Sequence, residues 1–209
     1  MNQTSIMIMQ QQVLRAIVAA RAEVTAALAL VQASIQQAAG GPVTLSAQTL
    51  QAVLVRLQAA AQALAAFRGA QMQQVRVVVG NVDVTATQNQ ILEAIAAAAA
   101  AIDAQIAAVQ QLLTQANAMG GQVTISNAAA QALAVSLRSV AESLVMLEAR
   151  QQQLVNITTS AGGGQAQPQA PVFPGNIFPG NIFPGGIFGQ AGGLGGVAGQ
   201  QGQGFFGNI

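Results

Sequence analysis

Lysine, histidine, cysteine, tryptophan and tyrosine do not occur in this chain. Without cysteine there is no disulfide framework and no thiolate nucleophile, and the redox compartment leaves no mark on the sequence. Without histidine and lysine, nothing is present to activate the many serine and threonine hydroxyls. Charge is scarce as well: seven Arg and six acidic residues make 6% of 209 residues, against about a quarter in ordinary soluble proteins. The carboxylates of Glu23, Asp83, Glu93, Asp103, Glu142 and Glu148 are scattered singly, so no pair is spaced for acid/base work or for a metal. The arginines, at 15, 21, 56, 68, 76, 138 and 150, form no basic patch that could follow phosphates. The expectation is a chain that is not an enzyme, has no catalytic residues, no cofactor and no metal, and does not bind nucleic acid.

Two further absences concern membranes. The opening MNQTSIMIMQQQVLRAIVAA lacks a basic segment followed by an unbroken apolar core, so a conventional signal peptide is not expected. The stretch between Glu23 and Arg56 is uncharged, but Gln, Ser and Thr interrupt it before an apolar run of about 18 to 20 residues accumulates. No transmembrane span is expected on that criterion.

Hydrophobic residues are abundant, at 52%, so a core is well supplied, and the polar residues are mainly Gln, Ser, Thr and Asn. The organising feature is a repeat. GGPVTLS, Gly40 to Ser46, returns as GGQVTIS, Gly120 to Ser126, with matching sequence on either side. Upstream, QQQVLRAIVAA from Gln10 aligns with QNQILEAIAAA from Gln88; downstream, LQAVLVRLQAAAQAL from Leu50 aligns with AQALAVSLRSVAESL from Ala130. Only an insertion around Asn117 to Met119 breaks the alignment. The chain therefore divides into a first repeat, 1–79, a second, 80–159, and a tail, 160–209.

Within each repeat the apolar spacing alternates three and four, as in helices with a coiled-coil-like seam. Leu14, Ile17, Val24, Leu28, Val31 and Ile35 mark the first helix, about 10–38; Leu50, Val53, Leu57, Ala60, Leu64 and Phe67 mark the second, about 47–73. Arg21 interrupts the first seam and is expected to reach solvent along its stem. Gly40-Gly41 offers a left-handed C-cap, Pro42 stops the helix, and Ser46 is placed as an N-cap; Gly120, Gly121 and Ser126 repeat the device. A β-branched residue at Gly41 or Gly121 should therefore destabilise the fold.

VRVVV, Gly80-Asn81 and VDVTA read as a hairpin with Val79 opposite Val82. Thr87 and Gln90 resemble a capping box for the third helix, whose centre is the alanine run Ala96 to Ala101, read as close helix packing. The fourth helix should extend to about residue 152 on Leu133, Leu137, Val140, Leu144 and Leu147. TSIMIM from Thr4 and LVNITTS from Leu154 read as outer strands of the two repeats. The expected fold is mainly α: a duplicated antiparallel helical hairpin, forming a four-helix bundle, with a small antiparallel β-sheet at the end away from the links.

Beyond Ser160 the composition changes. A spacer, AGGGQAQPQAP, leads into PVFPGNIFPGNIFPGGIFG, a Phe-Pro-Gly-Asn-Ile unit in repetition, which resembles the Pro-Gly pentapeptides of elastin-like sequences and should make type II turns. Six of seven phenylalanines lie here, Phe173, Phe178, Phe183, Phe188, Phe205 and Phe206, and their even spacing makes them candidate assembly anchors, each burial being worth about 1.5 to 3 kcal/mol.

These features point to a self-assembling structural subunit of a fibre, coat or surface layer, whose partners are copies of itself and whose tail docks between subunits. A bacterial surface or spore is the favoured setting. The alternative is an amphipathic helical coat on a lipid or polymer granule, with surface or lipid association. Phasin-like granule proteins are similar in Ala and Gln usage, without a shared motif. Secreted substrates of mycobacterial type are similar in placing helices before a Gly-rich tail, but their Trp-x-Gly or Tyr-containing export signals are missing from this chain, which has no Trp or Tyr.

Overall fold

The computed structural model describes residues 3–68, 78–79 and 82–162. The elements run α1 (Gln3–Gln37), β1 (Val43–Ser46), α2 (Ala47–Arg68), β2 (Val78–Val79), β3 (Val82–Asp83), α3 (Thr85–Ala118), β4 (Gln122–Ile125) and α4 (Asn127–Gly162). The protein is mainly helical. Each helix packs on two others, α1 on α2 and α4, and α3 on α2 and α4, so the four close around one hydrophobic core.

A seven-residue rhythm fills that core. Ile17, Val24 and Val31 of α1, Ile95, Ile102 and Val109 of α3, and Leu137 and Leu144 of α4 are buried at that interval; in α2 Leu50, Leu57 and Leu64 do the same. Ala98, Ala99 and Ala101, from the run read as close packing, are buried in α3, where the small side chain lets helices approach.

The two links meet. β1 and β4 form a two-stranded antiparallel sheet in which Val43 pairs with Ile125, Thr44 with Thr124, Leu45 with Val123 and Ser46 with Gln122. Alternation explains the choice: Val43, Leu45 and Val123 turn into the core while Thr44 and Thr124 face solvent. Two further contacts tie the links together, the Ala47 amide to the Gly121 carbonyl at 2.8 Å and the Asn127 side-chain amide to the Gly41 carbonyl at 3.2 Å.

Several expectations are corrected. Beside the expected β2–β3 pair a second two-stranded sheet, β1–β4, lies at the link end, and the two expected outer strands are helix: 4–9 opens α1 and 154–160 lies in the last turns of α4. No glycine or proline separates either segment from its helix, and extending a helix costs less than starting a new element. Leu154 also continues the α4 seam and is buried. The hairpin forms with the expected register, Val79 opposite Val82, with two residues in each strand among the described residues. Helix α3 starts at Thr85 rather than on a Thr87 capping box; the Asp83 carboxylate accepts the Thr85 amide at 3.0 Å instead.

The largest correction concerns membranes. Three helices, Ala47–Phe67, Thr85–Ala118 and Asn127–Ser160, are long and apolar enough to cross one, with mean hydropathies of 1.3, 1.6 and 1.3 over their best windows. Insertion depends on hydropathy summed over the span, and here Ala, Leu, Val and Ile outweigh the Gln, Ser and Thr set among them. Requiring an unbroken apolar run was too strict.

Candidate functional site

Three local arrangements carry the polar chemistry of the described residues. At the link end, Ser46 Oγ accepts the Thr49 amide at 3.0 Å and Ser126 Oγ accepts the Ala129 amide at 3.2 Å, so both serines cap their helices as their position in the sequence implies. Gly40 and Gly120 both take positive φ, +88° and +84°. Their neighbours differ. In the second link Gly121 is also positive, at +96°, whereas in the first the second left-handed residue is Ala39, at +46°, and Gly41 is not. The insertion before Gly120 shifts the helix end relative to the turn, so the two links close with different residues.

At the opposite end a glutamine cluster is sealed in the core. Gln10, Gln88 and Gln151 are at most 4% exposed. The Gln10 side-chain amide donates to Gln88 Oε1, and the Gln151 amide donates to both the Gln10 backbone carbonyl, at 2.9 Å, and Gln10 Oε1. Gln151 Oε1 has no partner among the described residues. The sequence carried a signal for this cluster that the apolar reading passed over. The seven-residue rhythm of α1 runs back from Ile17 to Gln10, that of α3 from Ile95 to Gln88, and that of α4 forward from Leu144 to Gln151. A polar residue on such a seam fixes register at a cost in stability.

Midway along the bundle α1 is clipped to both neighbours. Arg21 pairs with Glu148 of α4 at 2.8 Å and Glu23 with Arg56 of α2 at 2.9 Å. Arg21 thus does more than reach solvent: it closes a contact with a carboxylate only 14% exposed. These two pairs join α1 to α4 and to α2 by opposite charges.

A groove opens on the outside between the last turns of α1 and the first turns of α4. Gln32, Ile35, Gln36, Gln131, Ala134, Val135 and Arg138 line its volume of about 350 Å³. Val135 is 63% exposed on its wall.

Among the described residues no three acidic side chains gather to hold a cation. The link residues Gly40, Gly41, Ser46, Gly120, Gly121 and Ser126 are brought together by the β1–β4 pairing. The candidate assembly residues Phe173, Phe178, Phe183, Phe188, Phe205 and Phe206 lie outside the described residues. Comparisons with family models, with curated proteins and with solved structures each return no match.

Proposed function

We propose that this chain is a non-enzymatic, self-assembling structural subunit of a fibre, coat or surface layer, whose repetitive tail docks between subunits. The observation that carries the reading is the contrast between a filled core and a charge-poor exterior. Ile8, Val55, Val135, Val145, Met119 and Met146 all stand at least 45% exposed, among outward Gln and Ala, while four charged residues are engaged in pairs between helices. Such a surface repels its own copies weakly. The body, in this reading, is a duplicated helical hairpin with approximate twofold symmetry, its halves 1–79 and 80–159, followed by the tail 160–209. Support comes from Thr44 facing Thr124, from Gln10 bonded to Gln88 and from matching serine caps, each pair occupying corresponding places in the two repeats. Light scattering over a concentration series tests the function: particle mass should grow with concentration, and a monomer throughout would end the reading.

A second reading, a helical coat on lipid or polymer, is favoured by the three helices of membrane-crossing length and hydropathy. Flotation with liposomes or polymer granules tests it, and alkaline carbonate washing separates a surface coat, which is released, from helices that span.

A further inference from the structure

The α1/α4 groove lies at the start of α4, and the tail follows the end of that helix in sequence. The groove is formed by the first three turns of α4, Gln131 to Arg138, and the tail leaves α4 after Gly162. At 1.5 Å per residue the two are about 36 Å apart. We propose that the Phe-Pro-Gly-Asn-Ile units of one copy's tail seat in the α1/α4 groove of the next copy, so that subunits join head to tail. The inference rests on the self-assembly reading and names its receptor.

The chemistry of groove and unit corresponds. Ile35, Ala134 and Val135 offer an apolar floor and wall to a Phe or Ile side chain, and a volume of about 350 Å³ suits one or two side chains rather than a long segment. Arg138 is positioned to take an aromatic ring against its guanidinium. Gln32, Gln36 and Gln131 present amides that both donate and accept, matching the Asn side chain and the backbone groups of a Pro-Gly turn. The tail from 163 to 209 has no charged residue, so nothing opposes its approach to Arg138 or demands a counter-charge.

The reach of the first unit favours a neighbouring copy. Phe173 is eleven residues past Gly162, which spans at most about 40 Å fully extended, so this unit would reach its own groove only with the spacer pulled taut, whereas the units from Phe178 onward are long enough to reach either groove. In a head-to-tail neighbour the groove end comes next to the tail's exit. A donor at one end and an acceptor at the other make a heterologous contact, which propagates into an open polymer.

The absence of native cysteine makes the test direct. Full-length Val135→Cys and full-length Phe178→Cys are mixed and oxidised, with full-length Val55→Cys, on the exposed face of α2, as the control in place of Val135→Cys. The expected result is a disulfide-linked heterodimer from the Val135 pair, at least tenfold above the Val55 pair. Equal capture at both positions, or none at Val135, overturns the groove as receptor. A doubly substituted chain, Val135→Cys with Phe178→Cys, that closes on itself as a monomer at every concentration overturns docking between copies. Sedimentation of the unsubstituted chain separates this from the parent reading: self-association without capture at Val135 removes only the groove, whereas a monomer removes both.

Discussion

Thr44 and Thr124 face each other across the β1–β4 pair, their hydroxyl oxygens 3.2 Å apart. Each is the threonine of its own GG-x-V-T link, so the one register pair that joins equivalent residues lies within the contact between the two links.

Like charges at that point should expose the coupling. Thr44→Asp and Thr124→Asp are each expected to cost little, because both sites are exposed, while the double substitution places two carboxylates directly opposite. A double-mutant cycle by urea denaturation should return an unfavourable interaction of about 0.5 to 1 kcal/mol. Additive effects would show that the links do not bear on each other in solution.

The turns give an asymmetric expectation. Gly120→Val and Gly121→Val place a β-branched residue at positive φ and should each lower stability by about 1 to 2 kcal/mol. Gly40→Val should do the same. Gly41→Val meets a different obstacle, the Ala38 carbonyl at 3.3 Å from the added carbon, rather than a left-handed backbone. Ala39→Gly should raise stability by up to about 1 kcal/mol, since Ala39 already holds φ +46°. Thermal melts followed by circular dichroism would check the set, and an Ala39→Gly protein that melts lower contradicts the assignment.

The buried glutamines should behave as a unit. Gln10→Ala strands Gln88 Oε1 inside the core and leaves the Gln151 amide with the Gln10 backbone carbonyl alone, and the lost partner at Gln88 is expected to cost about 1 to 3 kcal/mol. Replacing Gln10, Gln88 and Gln151 together by Leu removes all the polar atoms and should restore much of the melting temperature, or exceed it, while loosening helix register. Denaturation midpoints of the single and triple variants decide this; a triple variant less stable than Gln10→Ala would mean that the cluster contributes net stability.

The helices were legible because their seams and stops are strong local signals: Leu50 to Leu64 needs no tertiary information to be read as a buried stripe, and Ser46 and Ser126 announce their caps. The β1–β4 sheet was not legible, because Val43 to Ser46 is short enough to serve as a link, and only the meeting of two distant links turns it into a strand. The segments from Thr4 and Leu154 misled through their β-branched residues, where continuity with a long helix outweighed local preference. At the groove, no sequence rule brings Gln32 and Ile35 of α1 to Val135 and Arg138 of α4. That contact exists only once the helices have closed around the core.

The account turns on the tail joining one body to another. The described residues of the four-helix body form a hydrophobic core, and replacing Phe173, Phe178, Phe183 and Phe188 by Ser in the full chain changes none of those core residues. Sedimentation velocity of the unsubstituted and four-Ser proteins at equal concentration is the measurement. The account predicts a broad, concentration-dependent distribution for the first and a single slow monomer of unchanged helix content for the second. Superimposable distributions for the two proteins would contradict it.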